Sequence, residues 1–259
     1  MNSIDYQDFL NELISTLEAD PLVWGLIALG STADGTSRDQ WSDHDFWIIT
    51  SPGSQSHYLD THFWLPKTNN ILMIVRHGFS YRTVLYKNKH KIEYAVFDPK
   101  EAVRAKIDRF RVLIDRQAII SLAESIKLQT HQQQMSGLVK SDMLENLCLL
   151  LWTAYERWAR GERLSSQRYI QFAVDTFLDL LVAHDSLKRS SMVDQLDTRR
   201  RLEKREPELG HELDRIGRLT VPEAGVALID IAQRKLMART PELAWEKASV
   251  VKQWLQGAG

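Results

Sequence analysis

The chain has 259 residues, and at this length it forms one large domain or two ordinary domains with ample core. Its formal net charge of -1 and pI near 6.7 disfavour a strongly basic nucleic-acid-binding protein, although they are compatible with a local basic face. The single cysteine, Cys148, excludes an internal disulfide framework and a thiolate metal site. Because Cys148 lies in an apolar helical pattern, we expect it to be a core thiol.

The first residues, Met1-Asn2-Ser3-Ile4-Asp5, contain an acid where a signal peptide needs bases. No apolar run is long enough to span a bilayer. We therefore expect a soluble, cytoplasmic protein with no membrane partner.

The N-terminal segment predicts a helix followed by a strand. Six apolar residues recur at helical spacing after a possible Ser3 cap: Tyr6, Phe9, Leu10, Leu13, Ile14 and Leu17. Asp20-Pro21 ends this pattern, and the continuous apolar run Val23–Leu29 is typical of a strand that is covered on both faces.

A glycine, a serine and two aspartates then flank a polar linker. Gly30 permits close approach of a ligand to the backbone, and Ser31 offers a hydroxyl and an amide to phosphate oxygens. Gly-Ser alone more often just ends a strand, but Asp43 and Asp45, which precede a second apolar run at 46–49, favour the functional interpretation.

Alternation along a strand places Asp43 and Asp45 on one face and His44 on the other. Two carboxylates on one face repel each other, and a cation relieves that repulsion. Oxygen ligands without thiolates or clustered histidines favour Mg²⁺. We expect His44 to be a packed or hydrogen-bonded histidine rather than a ligand.

Gly-Ser, a linker and Asp-x-Asp at the head of an apolar strand resemble the signature of the DNA polymerase β-type nucleotidyltransferase superfamily. Within it, the form Gly-Ser-x-Ala-x-Gly-x-Ser…Ser-Asp-x-Asp-Phe is most similar to the aminoglycoside and lincosamide nucleotidyltransferases, which are adenylyltransferases. The resemblance covers the N-terminal half of the chain.

A third acid follows in the predicted sheet. After a short helix near 55–65, β-like runs occur at 71–75, 81–86 and 91–97, and residues 87–90 suit a hairpin turn. Glu93 lies within the last, otherwise apolar run. It is either an edge-strand carboxylate that faces water or the third carboxylate that the superfamily places on a strand beside Asp-x-Asp. The superfamily more often has Asp at this position. The longer side chain of Glu93 could either ligate the metal or reach further and act as a base. Asp98, at the end of the same run, is the alternative candidate for the third acid.

Beyond the third acid, the sequence first predicts both strands and helices and then, after about residue 137, helices alone. A last strand near 112–114 and a helix at 117–130 precede the polar stretch 129–137, which is either the domain boundary or a helix that extends onward. We predict an α+β protein: an N-terminal mixed-sheet nucleotidyltransferase domain at 1–135, then an all-α helical bundle at 136–259 that binds the acceptor.

Four helix patterns support the bundle. Apolar stripes run from 144 to 158 and from 169 to 181, with starts near Ser141 and Ser165. Thr220 to Glu223 is typical of a capping box, and Thr240-Pro241-Glu242 indicates a further helix start. The charged run 198–206 predicts a solvated helix or an exposed connection. We expect four tryptophans to serve packing: Trp152, Trp158, Trp245 and Trp254.

The resemblance implies transfer of AMP from ATP to a hydroxyl of a small molecule, an aminoglycoside or lincosamide. Asp43 and Asp45 would hold Mg²⁺, Glu93 would complete the metal site or deprotonate the acceptor, and Gly30 and Ser31 would seat the β- and γ-phosphates. Four acids on the first two bundle helices are candidates to face a cationic drug: Glu145, Glu156, Asp175 and Asp179.

Two other functions stay open from the sequence. The acceptor could be a protein or an RNA, as in toxin–antitoxin nucleotidyltransferases, although the near-neutral charge disfavours nucleic acid. The chain could also be a regulatory module that binds a nucleotide without turnover. The intact metal acids count against that alternative.

Overall fold

The computed structural model describes residues 3–33, 41–135, 142–184 and 197–257. Most of the linker before Asp43 and the predicted helix start at Ser141 lie outside these residues. The chain divides into two compact units, Met1–Met135 and Ser136–Gly259, which are described separately. The first contains a mixed six-stranded sheet and the second contains helices, which confirms the predicted α+β fold class. Within the described ranges, no helix is long and apolar enough to cross a membrane.

The first unit alternates helices and strands. Its elements in chain order are α1 (Ser3–Glu18), β1 (Val23–Leu29), α2 (Gly30–Ala33), β2 (His44–Thr50), α3 (Gln55–Asp60), a 3₁₀ turn (Thr68–Asn70), β3 (Ile71–His77), β4 (Tyr81–Tyr86), β5 (Lys91–Phe97), α4 (Pro99–Ala102), β6 (Phe110–Asp115) and α5 (Ile119–Met135).

The order of strands in the sheet determines which residues meet. The order is β3-β4-β5-β2-β1-β6, in which β2 and β5 pair in parallel and the other neighbours pair antiparallel. Parallel strands begin at the same edge of a sheet, so the first residues of β2 and β5 are neighbours. The end of β1 reaches the same edge, because β1 runs antiparallel to β2.

Apolar residues cover both faces of this sheet. On one face, Phe9 and Leu13 of α1 pack with Phe46 and Ile48 of β2, all almost fully buried. On the other, Ile119 and its neighbours in α5 pack against a second set of strand residues: Ile27, Trp47, Ile49, Ala95 and Phe97. A Cβ at Gly25 would lie 2.7 Å from Ile119, so glycine at this position lets α5 pack closely on β1.

The second unit is helical in every regular element of its described residues. The elements are α6 (Met143–Ala159), α7 (Arg163–Ala183), α8 (Leu202–Arg205), α9 (Pro207–Ile216), α10 (Val221–Leu236) and α11 (Trp245–Gln256). Leu147, Leu151, Phe177 and Leu228 are fully buried in its core. Cys148 is also buried, and burial raises its pKa to about 11, which confirms the predicted core thiol.

The predicted helix starts in this unit had different outcomes. The carboxylate of Glu223 accepts hydrogen bonds from the backbone N–H (2.9 Å) and the hydroxyl (2.6 Å) of Thr220, so α10 begins as predicted. The predicted helix start at Thr240 is wrong, because α11 begins at Trp245. The Thr240 hydroxyl donates to the Leu236 carbonyl (3.0 Å) at the end of α10 and therefore does not cap the next helix.

The charged run at 198–206 forms a turn followed by α8, in which Leu202 is buried. The tryptophans contribute packing: Trp245 is buried, and the rings of Trp152 and Trp254 meet edge to face at 5.2 Å. This unit therefore has an apolar core with charged residues around it.

Candidate active site

Three carboxylates converge at the edge of the sheet where β2 and β5 begin. Asp43 directly precedes β2, Asp45 lies within it, and Glu93 lies on β5 directly opposite Asp45 in the parallel register. One oxygen from each carboxylate lies within 4.8 Å of the other two. The structure thus brings together the three acids that the sequence selected.

Lys91 lies between two of these acids. Its Nζ is 2.7 Å from Oδ2 of Asp43 and 2.8 Å from Oε1 of Glu93. Burial by itself would lower the pKa of Lys91, but the hydrogen bonds to both carboxylates outweigh burial and raise that pKa above its ordinary value. Lys91 was not predicted as a site residue, although its position two residues before Glu93 on one strand places both side chains on the same face.

The side chains of the cluster differ in their exposure to solvent. The side chain of Asp43 is only 15% exposed, whereas those of Glu93 and Lys91 are 48% and 42% exposed. Glu93 is therefore more open to solvent than Asp43, and a bound molecule can reach it.

Gly30 and Ser31 lie at the same edge of the sheet. Gly30 has a φ of +50°, a conformation that glycine adopts readily, and its N–H donates to the carbonyl of Arg109 (3.2 Å). Ser31 is buried in the short helix α2, which directly follows β1. Because β1 and β2 are neighbours, this turn lies beside the strand that carries Asp45.

A chain of hydroxyl groups connects the turn to the carboxylate strand. The backbone N–H of Asp45 donates to Oγ1 of Thr32 (2.9 Å), and that hydroxyl bonds to the hydroxyl of Tyr6 (2.9 Å). Tyr6 donates in turn to the carbonyl of Asp43 (2.9 Å). Thr32 had no role in the sequence-based prediction, and Tyr6 was expected only to pack in the first helix. Their hydroxyl groups connect α1 and α2 to the start of β2.

Behind the carboxylates, on the other face of β2, lies a buried histidine pair. Nε2 of His44 donates to the carbonyl of Tyr6 (3.1 Å), since a carbonyl only accepts, and Nδ1 of His44 then accepts from Nε2 of His90 (2.9 Å). The rings of His44 and Tyr6 stack at 3.6 Å. Burial lowers the pKa of His90 to about 4 and outweighs the opposite effect of Asp43. His44 is packed and hydrogen bonded, as expected.

The other predicted acids lie elsewhere. Asp98 accepts a hydrogen bond from the N–H of Glu101 (2.8 Å) and caps α4, at the opposite end of β5 from the cluster. In the helical unit, Glu145 forms an ion pair with Lys247 and Asp175 forms one with Arg199.

The two remaining candidate acids, Glu156 and Asp179, lie on α6 and α7. Glu156 is exposed, and Asp179 has a pKa raised by burial and by the nearby Asp175. Two of the four acids expected to face a cationic acceptor therefore have cationic neighbours within the chain.

A cavity of about 210 Å³ adjoins the cluster. The residues that line it are Trp41, Ser42, Asp43, Asn88, Lys89, His90 and Lys91. Trp41 is 82% exposed, and Lys89 and Lys91 line the same wall as Asp43. The cavity combines an aromatic ring with cationic groups next to a carboxylate.

The donor set fits a hard divalent cation. It consists of carboxylate oxygens alone, and one oxygen from each carboxylate lies within 4.8 Å of the others, which is compatible with the roughly 4 Å between opposite ligands of octahedral Mg²⁺. Asp43 and Asp45, with Glu93, could therefore hold Mg²⁺ once the Lys91 ammonium has left them.

No protein-family model matches the sequence, and no curated protein matches it significantly. The structure resembles an aminoglycoside 6-adenyltransferase from Bacillus subtilis, with 12% identity, a TM-score of 0.41, and coverage of 100% of this chain and 99% of the other. It also resembles a nucleotidyltransferase-like protein from Exiguobacterium sibiricum 255-15, with 12% identity, a TM-score of 0.40, and coverage of 91% and 77%.

Proposed function

We propose that the protein is a Mg²⁺-dependent nucleotidyltransferase that moves AMP from ATP to a hydroxyl of a small molecule. One observation carries the proposal: the parallel register of β2 and β5 brings Asp43, Asp45 and Glu93 within 4.8 Å of one another, beside the Gly30-Ser31 turn. A cluster of three acids is costly to assemble without a cation, and this one lies at an accessible edge of the sheet.

In the proposed reaction, an acceptor oxygen forms a bond to the α-phosphorus and the bond from that phosphorus to the pyrophosphate oxygen breaks. Asp43 and Asp45 would hold the cation, which when bound would neutralise the charge that develops on the attacking and leaving oxygens. Gly30 and Ser31 bind the β- and γ-phosphates through the backbone and the hydroxyl. The proton of the acceptor hydroxyl passes to Glu93 or to water.

Glu93 has two roles open to it. As the more exposed partner of Asp43 in the cluster, it is placed either to complete the metal site or to accept the proton of the acceptor hydroxyl. Both roles need Glu93 released from its contact with Lys91.

For the acceptor, the motif resemblance points to an aminoglycoside or lincosamide. We assign nucleotidyl transfer to residues 1–135 and acceptor recognition to the helical unit at 136–259, in a cytoplasmic protein. In that unit, Glu156 and Asp179 are the acids of α6 and α7 that we would test first against a cationic drug, because Glu145 and Asp175 already have cationic partners.

The first experiment measures pyrophosphate release from ATP and Mg²⁺ with a panel of aminoglycosides and lincosamides. Release should depend on one class of compound and fall by at least about a hundredfold in Asp45→Asn. Asp98→Asn is the matched control, since it removes the same charge from the helix cap at the other end of β5 and should retain activity.

Other results would redirect the assignment. Labelling of a protein or an RNA by radioactive ATP, without release on any small molecule, would establish a macromolecular acceptor. Mg²⁺-dependent ATP binding with no transfer to any acceptor would establish a regulatory module instead.

A further inference from the structure

Lys91 occupies the place in the carboxylate cluster that a metal ion would need. The ammonium contacts Asp43 at 2.7 Å and Glu93 at 2.8 Å, and these carboxylates are two of the three that could bind a cation. Among the described residues, Asp43 and Glu93 have no other ion pair. The ammonium therefore supplies the cluster with a positive charge from within the chain.

The ammonium and a divalent cation exclude each other from this position. Both bind the carboxylates of Asp43 and Glu93, and two cations a few ångströms apart repel each other strongly. Lys91 and Glu93 are 42% and 48% exposed, so solvent weakens their contact, whereas Asp43 is only 15% exposed. A divalent ion carries twice the charge of the ammonium and can therefore displace it from both carboxylates.

The cavity beside the cluster has room for the Lys91 ammonium when it leaves the carboxylates. The side chain of Lys91 is 42% exposed, and it lines the cavity that includes Trp41 and Lys89. The flexible four-carbon stem lets the ammonium turn into that space while the backbone stays paired in β5.

We infer that Lys91 is an exchangeable internal counter-ion, which holds Asp43 and Glu93 together before the metal binds and turns outward when the cation takes its place. This inference rests on the proposed function, because it takes the carboxylates as a metal site. Lys91 is a positioning residue that lowers the apparent affinity of the cluster for metal.

The test is a titration of the full chain with Mn²⁺ in the absence of nucleotide. Electron paramagnetic resonance measures the Mn²⁺ that stays free, and the affinity follows from that signal. Lys91→Met should bind Mn²⁺ about fivefold more tightly than the wild-type chain, because the competing contacts are gone. Lys91→Arg, which keeps the charge, should bind close to the wild-type affinity.

Lys89→Met is the matched control. Lys89 lines the same cavity and, among the described residues, has no ion pair with the carboxylates. Removal of its charge therefore measures how much a nearby positive charge affects Mn²⁺ affinity without a direct contact. It should change Mn²⁺ affinity by less than about twofold at physiological salt.

A second measurement uses thermal unfolding. Without metal, Lys91→Met should unfold at a lower temperature than the wild-type chain, since its carboxylates have lost their counter-ion. At saturating Mn²⁺ the difference should disappear or reverse, because binding to the native state adds stability that increases with the logarithm of the affinity.

Weaker or unchanged Mn²⁺ binding in a folded Lys91→Met chain would overturn the inference, since a residue that merely supports the site lowers affinity when removed. The failure of the proposed function looks different. In that case neither the wild-type chain nor any variant binds Mn²⁺, and Asp45→Asn makes no difference.

Discussion

At the start of β2, the two faces of the strand lie in different surroundings, one charged and partly exposed and the other buried. On one face, Asp43 and Asp45 lie with Glu93 in a charged, partly exposed cluster that contacts the Lys91 ammonium. On the other, His44 is fully buried, stacked on Tyr6 and bonded to His90. Successive residues of one strand therefore serve different purposes, because alternation separates them by the thickness of the sheet.

The comparison indicates where stability and activity reside. Hydrogen bonds and ring contacts complete the histidine face within the chain, so it should contribute to folding. Like charges assembled on the carboxylate face oppose folding, so that face should contribute to binding and chemistry. Each of the following predictions tests this division.

The largest expected difference is between His44→Ala and Asp45→Asn. His44→Ala should lower the free energy of unfolding by about 3–5 kcal/mol, because it leaves a cavity and removes the partner of a buried His90 donor. Asp45→Asn should leave stability unchanged or raise it slightly in metal-free buffer, because it removes like-charge repulsion. Urea unfolding of both variants measures this, and an equal loss in Asp45→Asn would contradict the division.

The histidine face should also make stability depend on pH. The pKa of His90 is about 4 in the folded chain, below the ordinary value of 6.5, so the unfolded chain binds more protons between these limits. Stability from this residue is complete above pH 6.5 and is lost as the pH falls toward 4, by roughly 3 kcal/mol in total.

Urea unfolding at several pH values tests this expectation. His90→Gln keeps an N–H donor for His44 and should flatten the profile between pH 6.5 and 4. His77→Gln, a change at an exposed histidine of β3, is the control and should leave the slope as it is. A slope that persists in His90→Gln would show that other groups cause it.

The smallest expected effect concerns the connection between the two faces. Thr32→Val removes the hydroxyl that accepts from the N–H of Asp45 and should cost about 1–2 kcal/mol of stability. Thr32→Ser retains the hydroxyl and should cost less. Activity should follow the same order, because the hydroxyl chain through Tyr6 positions the strand that carries Asp45; equal activity in both variants would contradict that role.

Much of this organisation was determined by the sequence alone. The apolar runs predicted the strands, the Asp-x-Asp spacing placed two acids on one face, and the resemblance to the superfamily pointed to Glu93 as the third acid. Thr220 and Glu223 predicted a helix start correctly as well. These features are local, because strand alternation and helix capping involve residues only a few positions apart.

Other features were decided only by the tertiary structure. The parallel pairing of β2 with β5 sets Glu93 opposite Asp45, and the 46-residue separation of His44 and His90 gives no local signal of their contact. Thr240 failed as a helix start because its hydroxyl bonds back to α10. Such partners depend on which strands and helices become neighbours, and periodicity within one segment carries no information about its neighbour in space.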